Sequence, residues 1–193
     1  MEITLNGHYQ VLTKLQQFST RRIAMIALLS SLAYIGRLLC QPLPNIQPVT
    51  VIIVLITVYM GWIDGVCVAV ISIVLSNMLM GMGPWTMAQI LTYVILVAIT
   101  WLFTHKFLKT SESTHKGMTW IMVALVGFLG LLYGFIISLF SYKLFGLAHF
   151  WPYYIQGLAF DIMHAVGNSV FYLLLTPLLK PLMQKFVNQD TYR

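Results

Sequence analysis

The stretch MTWIMVALVGFLGLLYGFIISLFSY (118–142) contains no charged residue and is long enough to cross a lipid bilayer as one α-helix. A transmembrane helix needs about 20 predominantly apolar residues, because the hydrocarbon core of a bilayer is about 30 Å thick. The whole chain of 193 residues has the same character, with 59% hydrophobic and only 8% charged residues. Soluble domains contain about 25% charged residues. The composition therefore predicts an integral membrane protein.

Six apolar segments follow one another along the chain, and together they predict an all-α membrane protein. We expect a single domain over residues 1–193, because the connections between the segments are short. An Asp64-Gly65 turn is expected between the second and third helices, and Gly81 to Pro84 separates the third from the fourth. The predicted transmembrane helices cover about 22–40, 48–62, 65–82, 85–107, 118–142 and 152–180.

The basic residues are distributed unevenly between the two sides of the membrane that six helices define. The side with both termini carries nine of the 11 lysines and arginines, whereas Arg37 and Lys143 fall on or near the other side. Short cytoplasmic loops of membrane proteins are enriched in lysine and arginine. The pattern therefore predicts that both termini are cytoplasmic (N-in/C-in). It also explains the net charge of +6 by membrane topology, so membrane lipid and not nucleic acid is the expected contact.

The segment GLAFDIMHAVGN (157–168) places polar groups inside the last predicted helix. Spacings of 3, 4, 3 and 4 residues put one stripe on a single face of that helix: Tyr154, Gly157, Asp161, His164 and Asn168. An acid near mid-membrane costs roughly 2.5–3.5 kcal/mol on insertion scales, so Asp161 must face protein or water. Two interpretations are open. Asp161 pairs with Arg37 or His164 and fixes helix packing, or it belongs to the floor of a polar cavity that opens outward.

Further polar and aromatic side chains collect at the predicted outer ends of the other helices. Three prolines stiffen the connection CQPLPNIQPVT (40–50), which suits a segment that lines or covers a pocket. The alternative roles are amides that bond a neighbouring helix and aromatic rings that lie at the membrane interface. The residues at these ends are Asn45, Gln47, Asn77, Trp85, Gln89 and Tyr93.

The first predicted helix has a face of small residues, formed by Ala24, Ala27 and Ser31. Small residues allow a second helix to approach closely in lipid. That second helix belongs either to the same chain or to another subunit. The fifth predicted helix has three glycines that allow a similar approach or leave room for a ligand beside Tyr133: Gly127, Gly130 and Gly134.

Several motifs of enzymes and metal sites are absent from the sequence. It has no GxxxxGK[ST] phosphate loop, no HExxH and no GxSxG. The two cysteines, Cys40 and Cys67, have neither CxxC nor metal-ligand spacing. We therefore expect no enzymatic activity, no cofactor and no metal site. No inverted repeat is visible, but the Asp161–His164 pair leaves a self-sufficient, proton-coupled permease as the alternative function.

Three stretches of the chain, PLPNIQPVT (42–50), GMGPWTMAQ (81–89) and FDIMHAVGN (160–168), resemble the S components of energy-coupling factor (ECF) vitamin transporters. The resemblance implies a six-helix, S-component-like bundle in the plasma membrane of a bacterium. It also implies partners, namely a transmembrane T subunit and two ATPases, which explains the missing phosphate loop. The implied substrate is a vitamin or vitamin precursor: pantothenate first, with hydroxymethylpyrimidine or pyridoxine and cobalamin as the other choices.

The same resemblance assigns roles to residues. The family docks on its T subunit through an alanine-xxx-alanine pattern, and the matching pair here is Ala27 and Ser31, with Ala24 on the same face. The family binds its substrate in the outer half of the bundle. Together with the polar stripe and the outer ends of the helices, this gives the expected substrate-binding set: Asn45, Gln47, Asn77, Trp85, Gln89, Tyr93, Tyr133, Tyr154, Asp161, His164 and Asn168.

Overall fold

A computed structural model describes residues 19–108 and 115–191, and the residues in this part of the chain form an all-α bundle. Ser19 caps the first helix, because its side chain accepts a hydrogen bond from the backbone N–H of Arg22. The helices are α1 Thr20–Leu39, α2 Val49–Tyr59, α3 Trp62–Met80, α4 Pro84–Phe103, α5 His115–Leu144 and α6 Phe150–Thr191, and a π-helical turn, Thr104–Leu108, follows α4. The all-α membrane fold predicted from the sequence is confirmed.

Helix α2 is the centre of the bundle, and it packs against each of the other five helices. Its residues from Val49 to Thr57 are all buried. A helix that is apolar on every side is stable only when protein or lipid covers it all round, and here the other helices do so. Helices α1, α3, α4, α5 and α6 enclose it, and each is long and apolar enough to cross a membrane.

The length of α2 differs from the prediction of a helix over 48–62. It has 11 residues and is therefore about 17 Å long, which is shorter than the hydrocarbon core of a bilayer. The apolar run predicted a membrane span because burial in protein and burial in lipid select the same residues. The count of six spans and the N-in/C-in orientation stay predictions.

The connection between α2 and α3 lies earlier in the chain than expected. The turn is at Met60 and Gly61, and Gly61 has φ 117°, a conformation that favours glycine. Asp64 and Gly65 instead belong to the first turn of α3, so the expected turn at these two residues is wrong. Glycine at position 65 allows α3 to pack closely on α2, because a Cβ there would overlap the hydroxyl of Thr57.

Arg22 and Asp64 form an ion pair that joins α1 to α3. Their Nε and Oδ1 atoms are 2.7 Å apart, and the Asp64 side chain is only 2% exposed. The distribution of basic residues explains Arg22 by membrane topology alone, but Arg22 also neutralises the buried acid. Helices α1 and α3 are therefore fixed to each other at the end of the bundle where α1 begins.

Helices α5 and α6 approach each other closely, because glycines on α5 face small residues on α6. A Cβ on Gly130 would lie 2.8 Å from the Cα of Ala165. Asn168 donates from Nδ2 to the carbonyl of Val126 at 3.2 Å, which ties the same two helices together. Both helices also extend beyond the predicted ranges of 118–142 and 152–180.

Candidate substrate-binding cavity

A cavity of about 330 Å³ lies at the end of the bundle where α1 finishes and α6 begins, which we call the cavity end. Its walls come from α1, the α1–α2 loop, α4, α5 and α6. Seven of the eleven expected substrate-binding residues line it: Asn45, Gln47, Gln89, Tyr93, Tyr133, Asp161 and His164. Six further residues complete the lining: Arg37, Gly134, Ile137, Ser138, Gly157 and Phe160.

The other four expected residues lie outside the cavity and have other contacts. Asn77 donates from Nδ2 to the Oγ1 of Thr86 at 2.9 Å and to the Oε1 of Gln89 at 2.7 Å, so it joins α3 to α4. Asn168 joins α5 to α6, as described above. The ring of Tyr154 stacks on Phe150, with 5.8 Å between centroids and 7° between planes. Trp85 is 43% exposed on the surface of the bundle.

One wall of the cavity is aromatic and hydrogen-bonded. The ring of Tyr133 lies 5.1 Å, centroid to centroid, from those of Tyr93 and His164. The Oγ1 atom of Thr50 lies 3.0 Å from the Nε2 of His164 and 3.4 Å from the hydroxyl of Tyr93. Thr50 thus links α4 and α6 through the central helix α2. The sequence did not indicate this role, because Thr50 lies in an otherwise apolar run.

Arg37 enters the cavity from α1, although the expected substrate-binding set did not include it. It is 8% exposed, and its Nη1 donates to the Oγ of Ser76 on α3 at 2.7 Å. Within the described residues, neither Arg37 nor His164 forms an ion pair with Asp161. The interpretation of Asp161 as one half of such a pair is therefore wrong. The sequence could have indicated Arg37 by its charge at the outer end of an apolar helix.

Asp161 occupies a space on α5 that exists because residue 134 is glycine. A Cβ on Gly134 would overlap the carboxylate of Asp161. Asp161 is 6% exposed, and its Oδ2 atom is buried without a hydrogen-bond partner. One turn towards the cavity end, Gly157 has no atom within 4 Å of the position of a Cβ. The carboxylate therefore lies below an open part of the cavity.

The α1–α2 loop is fastened to α6 beside the cavity. Asn45 donates from Nδ2 to the carbonyl of Phe160 at 3.1 Å, and its φ of 57° places it in the left-handed region. Asparagine adopts that region more readily than most other residues. Gly36 packs against Pro48, where a Cβ would lie 2.5 Å from the proline Cγ. These contacts hold the stiff loop close over the bundle.

A comparison with protein families agrees with this architecture. The family model described as "ECF transporter, substrate-specific component" matches the sequence over residues 21–180, which include nearly all of the helical bundle. The chain belongs to the substrate-specific components of ECF transporters. The resemblance seen in the three polar stretches is therefore confirmed. No curated protein sequence and no solved structure matches the chain significantly. As an S component it is a transport subunit that acts on a small-molecule substrate together with T and ATPase subunits.

The surface of this S component includes the small-residue face of α1. Ala24, Ala27 and Ser31 are all exposed, so no helix in the described part of the chain covers them. Ser31 donates from Oγ to the carbonyl of Ala27 at 2.9 Å, which satisfies its hydroxyl within α1. Beside them, Leu28 is 63% exposed. The face is apolar, low in relief and accessible.

Proposed function

We propose that this S component binds a water-soluble vitamin or vitamin precursor in the cavity and delivers it across the plasma membrane of a bacterium. The observation that carries the proposal is the cavity of about 330 Å³, which brings seven separately predicted side chains together at one end of the bundle. Ligand pockets of about 300–1,000 Å³ are typical of small-molecule sites. Under the N-in/C-in orientation, the cavity end faces the outside.

The size and lining of the cavity favour pantothenate as the substrate. Cobalamin is too large for a cavity of this volume. Pyridoxine and hydroxymethylpyrimidine are small enough, and the rings of Tyr93 and Tyr133 suit either one. Pantothenate is flexible and rich in hydrogen-bonding groups, and the amides of Asn45, Gln47 and Gln89 offer both donors and acceptors to it.

We further propose that the exposed small-residue face of α1 docks on the T subunit. Ala24, Ala27 and Ser31 allow a helix of that subunit to approach the backbone closely. The cavity then opens to the inside when the bundle changes its orientation in the membrane. This step needs energy, and the chain has no phosphate loop with which to hydrolyse ATP. The energy therefore comes from the two ATPases.

Reconstitution in proteoliposomes with radiolabelled pantothenate tests this function. We expect the chain alone to bind pantothenate without moving it, and the complete complex with T and ATPase subunits to take it up when ATP is present. A non-hydrolysable ATP analogue is the control and gives no uptake. Gradient-driven uptake by the chain alone would overturn the proposal and favour the permease.

A further inference from the structure

Arg37 is a buried cation without an acidic partner in the described part of the chain. The hydroxyl of Ser76 accepts from its Nη1 and donates in turn to the carbonyl of Ile73 at 3.1 Å. This hydroxyl therefore positions the guanidinium but does not neutralise it. The buried Nε has no hydrogen-bond partner. A guanidinium has five N–H donors in a planar fork that matches a carboxylate, so Arg37 offers unused donors at the cavity wall.

Asp161 is an acid in the same cavity, and it comes from a different wall. Its carboxylate occupies the space left by Gly134, and its Oδ2 has no partner. Helix α2 packs against both α1, which carries Arg37, and α6, which carries Asp161. Burying an uncompensated charge is strongly unfavourable. A ligand that bonds to both groups would therefore gain more than one that reaches only one of them.

We propose that Arg37 and Asp161 are two separate recognition points and that the substrate is a small carboxylic acid. Its carboxylate binds Arg37, and hydroxyl or amine donors elsewhere on the molecule bind Asp161. This inference rests on the proposed function and narrows its substrate class. Pantothenate has this layout, with a carboxylate at one end and two hydroxyls at the other. Pyridoxine and hydroxymethylpyrimidine have no carboxylate.

The test compares pantothenate with pantothenol, in which a hydroxymethyl group replaces the carboxylate. Isothermal titration of the purified full chain in detergent measures both affinities, with pyridoxine as a third probe. A charge-assisted contact to Arg37 predicts that pantothenate binds about 10- to 100-fold more tightly than pantothenol. Three outcomes overturn the proposal: equal affinities, tighter binding of pantothenol or pyridoxine, and no binding of any of the three probes.

Substitution of the arginine assigns that preference to one side chain. In Arg37→Gln, we expect pantothenate to bind only as tightly as pantothenol, and the affinity for pantothenol to change less than about 3-fold. The matched control is Arg21→Gln, the same change at an exposed position of α1, and it keeps the preference. Equal weakening of both probes in Arg37→Gln, with the melting temperature unchanged, would show a packing role and overturn the assignment.

Asp161 is tested by the opposite pattern. Because both probes share the two hydroxyls at the end remote from the carboxylate, Asp161→Asn weakens the binding of both by about 10-fold and keeps the ratio of their affinities. If Asp161→Asn bound pantothenate and pantothenol with nearly equal affinity, Asp161 would act by orienting Arg37. This result would overturn the role of Asp161 as a separate recognition point.

Uptake by the complete complex separates this inference from the proposed function. ATP-dependent uptake of pyridoxine in preference to pantothenate would leave the function intact and overturn the carboxylate site. Absence of uptake for every vitamin tested would remove both.

Discussion

Single residues set the shape and lining of the cavity, and the pair of Gly134 and Asp161 shows this most clearly. The glycine provides the space, and the acid uses it. The sequence placed Asp161, His164 and Asn168 on one face, because helical periodicity fixes the direction of a side chain. It could not separate the first two, which line the cavity, from Asn168, which bonds to Val126. That separation depends on depth along the helix and on what the neighbouring helix offers at each level.

The first prediction concerns this glycine. In Gly134→Ala the added methyl group displaces the Asp161 carboxylate, so we expect pantothenate to bind at least about 10-fold more weakly. The matched control is Gly127→Ala on the same helix, where the nearest atom to a Cβ is the Oγ of Ser169 at 3.0 Å, a side chain that can rotate. Titration of both variants checks the prediction. Unchanged affinity in Gly134→Ala would contradict the position of Asp161.

At the scale of elements, apolar runs predicted the existence of all six helices but not their environments. Helix α2 has the composition of a membrane span, yet its residues are buried against the other five helices. The helix is shorter than predicted because it ends at Tyr59, just before the turn at Gly61. Helix α1 shows the converse: its small residues are exposed, although the sequence also allowed them to pack against another helix of the same chain.

The second prediction tests α1 as the docking element. A tryptophan at Ala27 fills the shallow face and prevents close approach of another helix, while the cavity lies at the other end of α1. We therefore expect Ala27→Trp to bind pantothenate normally and to lose more than about 90% of ATP-dependent uptake. Ala98→Trp, an exposed alanine on α4, is the control and keeps uptake. Equal losses of binding and uptake in Ala27→Trp would remove the docking argument.

The third prediction concerns the ion pair between α1 and α3. Asp64→Asn removes the buried negative charge that faces Arg22, and breaking a buried ion pair costs about 3–5 kcal/mol. We expect the melting temperature in detergent to fall clearly, and the double variant with Arg22→Gln to recover part of the loss. If the single variant melts like the unaltered protein, the pair does not hold the two helices together.

At the scale of the whole molecule, residues 19–108 and 115–191 form five long helices around a short central one, and the cavity lies at one end of this arrangement. The fold class was predictable because long, nearly uncharged apolar segments in a membrane form helices, which satisfy all backbone hydrogen bonds internally. The partners of the buried charges were not, because pairing depends on which helices become neighbours. The sequence suggested Asp161 with Arg37, whereas Asp64 pairs with Arg22 and leaves Arg37 facing the cavity.

Native mass spectrometry of the detergent-purified chain tests the central claim most directly, because it shows whether a small molecule is retained and what its mass is. We expect one bound molecule per chain with the mass of pantothenate. A chain that retains no small molecule and binds none from a vitamin panel would contradict the assignment of the cavity as a substrate site.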